Sequence, residues 1–504
     1  MSRASDRRLP TYGAIDFGAS SGRVLAGRFD GERLTLSETA RFANRPVDLP
    51  DGRHWDLLHL FGRALDGLAR AGTLAGVGVD TWAVDYGLLD GAGRLLGLPF
   101  HYRDQRTAGM VERSFARVGR EAQYAISGIQ TLPINTVFQL EAERGSVAFE
   151  HASRLAMIPD LLAHWLGGEL VNEATNASST GLLDARSGRW SRTLLEGLEL
   201  PERLFGPVVE PGTTIGRLRP ALGLGDGAVH AVGSHDTASA FVAAPVADEH
   251  AAILSSGTWS LLGVELDAPV LSDAARDANL TNERGVEGTI RLLRNVMGLW
   301  LEQELGRAWG LSAPEIQALA ETAEPGVPLI DPDDPSFLAP DGDLPERIAA
   351  ACRRGGQAPP VGRAELARSV YVSLALRYRW VLGELEAATG REIRTVHVVG
   401  GGVRNELLCR LTAELTGRTV LAGPVEATAT GNVLVQLRAA GELSSAAELR
   451  ALARASAAPV VHEPGRDRAA ADDLYGRFLR ITGSVDPTVP STTTTRPSRH
   501  EDPR

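Results

Sequence analysis

The stretch TYGAIDFGASSGRVLAGRFD, residues 11–30, decides the fold. An apolar run over residues 12–15 leads into the polar, glycine-containing turn DFGASSG, and a second apolar run follows over residues 24–29. This pattern predicts two strands joined by a tight turn. Backbone N–H groups in such a turn bind phosphate oxygens, although a single glycine turn more often only connects two strands.

The stretch AAILSSGTWSLLGVEL, residues 251–266, repeats the order of strand, glycine turn and strand. A third glycine turn lies in VHVVGGGVRNELLCRLTAELTG, residues 396–417, with a buried strand before GGG and a helix predicted from about Arg404 to a C-cap at Gly417. A helix over residues 55–71 and a short strand over 76–80 complete the pattern. Strands that alternate with helices predict an α/β protein, and the repeated turn predicts two related domains that face each other.

The polar, proline-containing stretch at 242–250 marks the expected boundary between the two domains. We expect an N-terminal domain over residues 1–244 and a C-terminal domain over 245–482. The Pro-, Thr- and Arg-rich segment 483–504 is predicted to be a disordered tail.

Composition excludes several classes of protein. The net charge of −11, without a basic block, argues against nucleic acid as the main partner. No apolar run approaches the roughly 18 residues of a membrane helix, so no membrane partner is expected. Two cysteines, Cys352 and Cys409, do not make a disulfide framework, and the N-terminus lacks a signal-peptide core, which favours a cytoplasmic protein. The oligomeric state stays open, a monomer among the options.

The chain contains no lysine, so all 52 of its Lys and Arg residues are arginine. A GC-rich genome alone explains such a bias. The chemical consequence is still definite, because a P-loop and a protein kinase each need a lysine on the nucleotide phosphates. If this chain binds ATP, it does so through another architecture.

Carboxylates stand at two of the predicted strand ends. Asp16 precedes the first glycine turn, where it either stabilises the turn or holds Mg²⁺, in the latter case through water. Arg23, just past the turn, is either a solvated hairpin arginine or a partner of ATP phosphate. Asp236, in VGSHDTASAF (232–241), is by itself more often a helix cap, but in a cleft between two domains it would accept a proton from a substrate hydroxyl.

The stretch GVDTWAVDY, residues 78–86, combines a buried strand with two aspartates and a tryptophan. Carboxylates and aromatic faces recognise sugar hydroxyls and C–H patches, but a core tryptophan beside turn aspartates has the same pattern. Both interpretations of Asp80, Trp82 and Asp85 stay open.

Together the motifs resemble those of the FGGY family of carbohydrate kinases. The stretches that carry the resemblance are DFGASSGR (16–23), GVDTWAVDY (78–86), YRDQRT (102–107), GSHDTASA (233–240), LSSGTWSLLG (254–263), RNVMGLWLEQ (294–303), VVGGGVRNELL (398–408) and GPVEATATGN (423–432). The resemblance implies two actin/hexokinase-like (ribonuclease H-like) domains with an interdomain cleft that closes on substrate. Within the family the chain is most similar to members that use ATP and Mg²⁺ to phosphorylate L-rhamnulose at O1.

The resemblance also implies roles for individual positions. Asp236 would be the general base, and Asp16 would lie near Mg²⁺. The implied sugar contacts are Ala83, His235, Asp236, Thr237 and Asn295. The implied nucleotide contacts are Ala19, Ser20, Ser21, Gly22, Arg23, Thr258, Gln303 and Gly401. Ala83 stands where the pattern leads us to expect glycine, so its methyl group would border the sugar.

Two alternatives remain open at this stage. One is another ketose or polyol kinase of the same family, acting on xylulose, fuculose or glycerol. The other is a non-catalytic sugar or nucleotide sensor on the same fold, which would tolerate loss of the base.

Overall fold

The structure, a computed structural model, describes residues 9–338 and 343–487, within which it forms 21 strands and 18 α-helices. The strands are β1 Thr11–Phe17, β2 Ser21–Phe29, β3 Leu34–Ala43, β4 Pro46–Leu49, β5 Gly52–Trp55, β6 Gly76–Thr81, β7 Tyr86–Leu89, β8 Arg154–Met157, β9 Asn172–Glu173, β10 Leu183–Asp184, β11 Arg189–Trp190, β12 Val208–Val209, β13 Thr214–Arg217, β14 Ala228–His230, β15 Ala251–Ser256, β16 Trp259–Leu266, β17 Thr281–Arg284, β18 Ile290–Met297, β19 Thr395–Val399, β20 Thr419–Ala422 and β21 Val460–His462. The helices are α1 Leu57–Ala71, α2 Met110–Arg117, α3 Arg120–Ser127, α4 Thr136–Glu143, α5 Val147–His151, α6 Ile158–Leu166, α7 Ala174–Ser178, α8 Arg192–Gly197, α9 Asp236–Ala243, α10 Asp273–Asp277, α11 Trp300–Trp309, α12 Ala313–Glu321, α13 Leu344–Arg354, α14 Gly362–Thr389, α15 Glu406–Thr416, α16 Ala427–Ala439, α17 Ala446–Ser456 and α18 Arg468–Thr482.

Two large sheets share one pattern of strand pairing. The first sheet has the order β13-β14-β6-β1-β2-β3, and the second has the order β17-β18-β16-β15-β19-β20-β21. In each, a central strand pairs antiparallel with the next strand in the chain and parallel with a later one, so that β1 corresponds to β15, β2 to β16 and β6 to β19. The α/β prediction and the predicted likeness of residues 11–30 to residues 251–266 are therefore confirmed.

Burial explains the composition of the central strands. Every residue of β1 and of β6 is buried, because helices cover the sheet on its faces. Helix α1 packs against β2 and β3 and begins where Asp56 accepts a hydrogen bond from His59 N. None of the helices in the described ranges is long and apolar enough to cross a membrane.

The third glycine turn differs from its prediction in one detail. Residues 401–404 form a 3₁₀ turn, and α15 begins only at Glu406, because the side chain of Asn405 caps the helix by accepting a hydrogen bond from Leu408 N at 2.9 Å. Gly417 is the C-cap, as predicted.

Helices α9 and α16 lie between the two sheets. Helix α16 lies between β20 and β21 of the second sheet in the chain but packs against β1 and β6 of the first, and α9 contacts both α16 and β15. Gln436 Nε2 of α16 donates to Gly13 O of β1 at 2.9 Å. The two helices approach so closely that a Cβ atom on Gly431 would lie 1.8 Å from Ser239 O. The first sheet is therefore held to the second half of the chain by direct helix contacts.

The end of the described chain is packed. Trp380 Nε1 donates to Val485 O at 3.0 Å, and Pro487 lies against Gly383 of α14. The predicted tail began at residue 483, so residues 488–504 of that prediction lie outside the described residues.

Candidate active site

Two buried carboxylates lie side by side at the end of the first sheet. Asp16 of β1 is opposite Asp80 of β6 in the parallel register, and Arg23 of β2 is opposite Asp16 on its other side. Arg23 Nη2 donates to Asp16 Oδ2 at 2.7 Å, and its Nη1 pairs with Glu426, the residue before α16. Asp16 therefore forms an ion pair in β1 rather than acting as a turn-capping residue.

Asp236 is the first residue of α9. The N-cap is His235, and the Asp236 carboxylate accepts a hydrogen bond from Thr237 Oγ1 at 3.1 Å. The side chain of Asp236 is 29% exposed, whereas that of His235 is 6% exposed. Asp236 is thus fixed by the helix start while its carboxylate keeps access to solvent.

Asp16, Asp80 and Asp236 act on one another electrostatically. Burial raises the pKa of Asp16 to about 6, Arg23 opposes this shift, and Asp236 adds to it. Burial and the nearby Asp16 raise the pKa of Asp80 well above its usual range. Burial also raises the pKa of Asp236, against the lowering effects of His235 and Thr237. The three carboxylates therefore share one electrostatic environment.

A buried glutamate fixes the loop before α9. Glu173 Oε2 accepts hydrogen bonds from Ser234 Oγ at 2.6 Å and from Ser234 N at 3.1 Å. Thr175, which also bonds to Glu173, accepts a hydrogen bond from His235 N at 3.2 Å. Thr81 N at the end of β6 donates to Ser234 O at 2.9 Å. These contacts hold His235 and Asp236 at the edge of the first sheet, beside Asp80.

The predicted sugar contacts come from both halves of the chain. Ala83 is half-buried just after β6, next to Val84, whose φ of 67° lies in the left-handed region. Asn295 lies on β18, and its backbone N and Nδ2 both donate to Gln130 Oε1, at 2.8 and 3.0 Å. Asn295 also hydrogen-bonds to Glu283, which lies 3.1 Å from His235 Nδ1. Asn295 and His235 are therefore linked through one side chain.

Trp82 and Asp85 belong to the core rather than to an open sugar face. Trp82 stacks on Trp55 with ring centroids 3.8 Å apart, and both indole N–H groups donate to Asp85 Oδ2, at 3.0 and 2.6 Å. Gln139 Nε2 donates to the other oxygen of Asp85 at 2.7 Å. Burial raises the pKa of Asp85 to about 7, although these hydrogen bonds oppose the shift.

The predicted nucleotide contacts of the second half surround the β15–β16 turn. Thr258 Oγ1 lies 3.3 Å from Gln303 Nε2 of α11. Gly401 is exposed, with no atom within 4 Å of where a Cβ would stand, whereas a Cβ on Gly402 would lie 1.9 Å from Ser256 Oγ. The GGG turn thus packs against the β15–β16 turn and leaves Gly401 open to a ligand.

The β1–β2 turn carries the other predicted phosphate contacts. Gly18 N donates to Ser21 O at 2.9 Å, and the turn leaves Ala19 half-buried and Ser20 exposed. Gly22 is buried, and Arg23 is engaged with two carboxylates. A phosphate contact by Arg23 therefore stays a prediction.

Sequence reasoning missed four residues near the predicted site: Glu173, Glu283, Arg291 and Asn432. Asn432 Nδ2 of α16 donates to Asp80 Oδ2 at 2.5 Å. Arg291 pairs with Glu283 across β17 and β18, with its Nη2 3.1 Å from Glu283 Oε2. One signal was available, since a charged residue such as Arg291 inside an apolar strand is rarely buried without a partner.

The carboxylates suit a magnesium ion that is held mainly by nucleotide phosphates. Among residues 9–338 and 343–487, no group of three or more His, Cys, Asp or Glu side chains is arranged to hold a metal ion directly. Mg²⁺ keeps much of its water and needs only one or two protein carboxylates beside substrate phosphates. Asp16 and Asp80 are the two carboxylates that such an ion would use.

Solved sugar kinases have the same fold. A xylulose kinase from Lactobacillus acidophilus superimposes with a TM-score of 0.78 at 14% identity, covering 94% of this chain and 98% of that one. A glycerol kinase from Plasmodium falciparum, solved with ADP, gives 0.75 at 14% identity with the same coverage. At this identity the likeness concerns the fold alone, and it confirms the predicted α/β fold.

Sequence relatives extend over nearly the whole chain. A rhamnulokinase of Bacteroides thetaiotaomicron is 43% identical over 476 residues, which cover 92% of this chain and 98% of the relative. A rhamnulokinase of Bacillus subtilis is 41% identical over 457 residues, covering 88% and 93%. Residues 11–243 match the N-terminal domain of the FGGY family of carbohydrate kinases, and residues 252–440 match its C-terminal domain. The chain therefore belongs to the FGGY family of carbohydrate kinases.

Proposed function

We propose that the protein transfers the γ-phosphoryl group of ATP to O1 of L-rhamnulose and forms L-rhamnulose 1-phosphate. The observation that carries the chemistry is the partly exposed carboxylate of Asp236, fixed at the start of α9 within the electrostatic reach of Asp16 and Asp80. The choice of sugar is supported by relatives called rhamnulokinase, at 41–43% identity over about nine-tenths of the chain.

Asp236 acts as the general base. Its carboxylate takes the proton of the O1 hydroxyl while O1 attacks the γ-phosphorus, and the bond from that phosphorus to the bridging oxygen breaks to release ADP. Phosphoryl transfer asks a protein mainly for positioning, charge stabilisation and one such base. The raised pKa of Asp236 suits this role, because a more basic carboxylate accepts a proton more readily near neutral pH.

The remaining roles divide between the two halves of the chain. Residues 1–244 supply the sugar contacts at Ala83, His235, Thr237 and the base, together with the phosphate turn from Ala19 to Arg23. Residues 245–482 supply Asn295 to the sugar, and Thr258, Gln303 and Gly401 to the nucleotide. Asp16 would hold Mg²⁺ through water beside the ATP phosphates, and the ion would supply positive charge to the transferred phosphoryl group. We place the enzyme in the cytoplasm, because its two cysteines, Cys352 and Cys409, are buried free thiols, as is usual in a reducing compartment.

A substrate panel tests the reaction. Purified protein is given ATP, Mg²⁺ and one of L-rhamnulose, L-fuculose, D-xylulose or glycerol, and ADP release is followed by a coupled assay. We expect the highest kcat/KM with L-rhamnulose. If another acceptor gives a higher kcat/KM, that acceptor replaces L-rhamnulose as the proposed substrate. If none of the four acceptors leads to ADP release, the result favours a non-catalytic sensor.

The variant Asp236→Asn tests the base. It keeps the oxygen that accepts from Thr237 but cannot take the proton, so we expect kcat to fall by about 10²- to 10⁴-fold with folding intact. The matched control is Asp226→Asn, which removes an exposed carboxylate that pairs with Arg217 at the surface. Turnover of folded D236N at the level of D226N would refute the assignment.

A further inference from the structure

A buried ion pair of the second sheet contacts the imidazole beside the proposed base. Glu283 of β17 and Arg291 of β18 are directly opposite each other in the antiparallel register, and the side chain of Arg291 is completely buried. Glu283 Oε2 lies 3.1 Å from His235 Nδ1, and Arg291 Nη2 lies 3.3 Å from the same nitrogen. Both charges are thus directed at one edge of His235.

The other edge of His235 faces the reaction. His235 Nε2 lies 3.5 Å from Asp236 Oδ1. Because Nδ1 is enclosed by the ion pair, Nε2 is the ring nitrogen available to Asp236 or to a sugar oxygen. A ring held at one nitrogen has its orientation and its tautomer set by that contact.

We propose that Glu283 and Arg291 are positioning residues, which hold the Nδ1 edge of His235 so that its Nε2 edge faces Asp236 and the sugar. This inference rests on the proposed function, because it assigns the ion pair to the sugar side of that reaction. Neither residue touches the substrate in this role. Each acts through His235, and both come from the half of the chain that also supplies Thr258 and Gln303.

The contacts around His235 agree with an imidazole ring that is fixed in one orientation. Its backbone N donates to Thr175 of α7, and the charged groups near it are Asp236 on α9, Glu283 on β17 and Arg291 on β18. Although burial raises the pKa of Glu283, Arg291 and His235 bring it below its usual value, so Glu283 is a carboxylate. The opposite charges of Glu283 and Arg291 offset each other, which leaves His235 held by contacts rather than by a net field.

Asn295 lies on the same face of β18 as Arg291. Side chains four residues apart on a strand point to the same side, and Glu283 also hydrogen-bonds to Asn295. The ion pair therefore contacts two of the predicted sugar residues from behind.

The variant Glu283→Gln tests the proposal against Glu265→Gln. Glu265 pairs with Arg450 between β16 and α17 and makes no contact with His235, so its loss controls for breaking a partly buried ion pair of the same sheet. We expect kcat/KM for the sugar to fall by about ten- to a hundredfold in E283Q, because small misplacements of reacting groups have costs of this size. We expect KM for ATP to stay unchanged, and E265Q to keep the wild-type constants.

A second measurement does not depend on turnover. The ¹⁵N shifts of the imidazole nitrogens report which ring nitrogen carries a proton, and the signal of His235 among the 11 histidines is identified by its absence in His235→Asn. We expect this signal to change in E283Q and to stay in place in E265Q. If E283Q does not fold, the double variant Glu283→Gln with Arg291→Gln removes both charges and leaves neither unpaired.

The outcomes separate this proposal from the proposed function. Unchanged ¹⁵N shifts of His235, or sugar kinetics of E283Q equal to those of E265Q, would overturn the positioning role. If the wild-type protein phosphorylates a different sugar, the kinetic comparison is made with that sugar. If it phosphorylates none, the proposed function fails, and the ¹⁵N shifts alone decide whether the ion pair sets the state of His235.

Discussion

Replacing Gly431 of α16 by alanine should push α16 away from α9, the helix that begins at Asp236. A Cβ at this position would lie 1.8 Å from Ser239 O, 2.5 Å from Ser239 C and 3.0 Å from Ser239 Cα. All three atoms are backbone, so no side-chain rotation relieves the contact. The helices themselves must move, and Asp236 lies at the first residue of the helix that carries Ser239.

The size of the movement follows from the contact. Ordinary contact begins near 3.4 Å, so α9 and α16 must separate by about 1.6 Å at this point. Overpacking of this kind costs about 1–3 kcal/mol, which corresponds to a fall in Tm of about 2–10 °C. A misplacement of about 1 Å at a reacting group costs about 10²-fold in rate, so we expect kcat to fall by about that factor.

The assay compares Gly431→Ala with Gly62→Ala. Gly62 lies inside α1, and a Cβ there would meet no atom within 4 Å, so alanine should leave activity unchanged and raise stability by about 0.5–1 kcal/mol. Coupled ADP release gives kcat, and thermal unfolding gives Tm. Wild-type kcat and Tm in G431A would refute the claim that this helix contact positions the proposed base, Asp236.

Three further variants address the pH dependence of stability, the nucleotide and the sugar. Burial raises the pKa of Asp85 in the folded state to about 7, so the free energy of unfolding should fall by up to about 1.4 kcal/mol per pH unit as the pH rises from about 4 to 7. The variant Asp85→Asn should lack this part of the pH dependence when its thermal unfolding is measured at several pH values. Equal pH slopes in the variant and the wild type would contradict the role of Asp85. Thr258→Val removes a hydroxyl predicted to contact ATP phosphate, so kcat/KM for ATP should fall by about tenfold in steady-state kinetics, whereas a change confined to KM for the sugar would exclude that role. Ala83→Gly removes the methyl group expected to border the sugar, so KM for L-rhamnulose should fall by up to about tenfold at constant KM for ATP, and an unchanged KM would show that Ala83 does not limit sugar binding.

Local patterns in the sequence were sufficient to predict the strands and turns on either side of the candidate site. The hairpins at residues 11–30 and 251–266 follow from alternating apolar runs broken by glycine, and the structure has both as strand pairs. The start of α15 was predicted two residues early, because the sequence gives no sign that residues 401–404 form a 3₁₀ turn before Asn405 caps the helix. Whether Trp82 faces a sugar or the core depended on Trp55, whose stacking on Trp82 joins segments 27 residues apart.

Contacts between distant segments were beyond the reach of sequence reasoning. Asn432 bonds to Asp80 across 352 positions of the chain, and Arg291 reaches His235 across 56. No spacing rule connects such positions, because each pair meets only once the two halves have folded against each other. The residue types were informative in one case, where Arg291 interrupts the apolar strand IRLLRNVM.

Helix α16 and the residue before it explain why a change in the second half of the chain should act on the carboxylates of the candidate site. Glu426 pairs with Arg23, which in turn pairs with Asp16. Asn432, about two turns further along, donates to Asp80.

Helix α16 also sets the position of α9 and of the first sheet. Because Gly431 has no side chain, the backbones of α9 and α16 can lie in direct contact there. Gln436, one turn after Asn432, donates to Gly13 O of β1. A shift along the axis of α16 would therefore break the contacts to Asp80 and to β1 together, while a sideways shift would move Asp236. Because the predicted nucleotide contacts Thr258 and Gly401 belong to the same half of the chain as α16, a displacement of that half on nucleotide binding would reach all three carboxylates through this one helix.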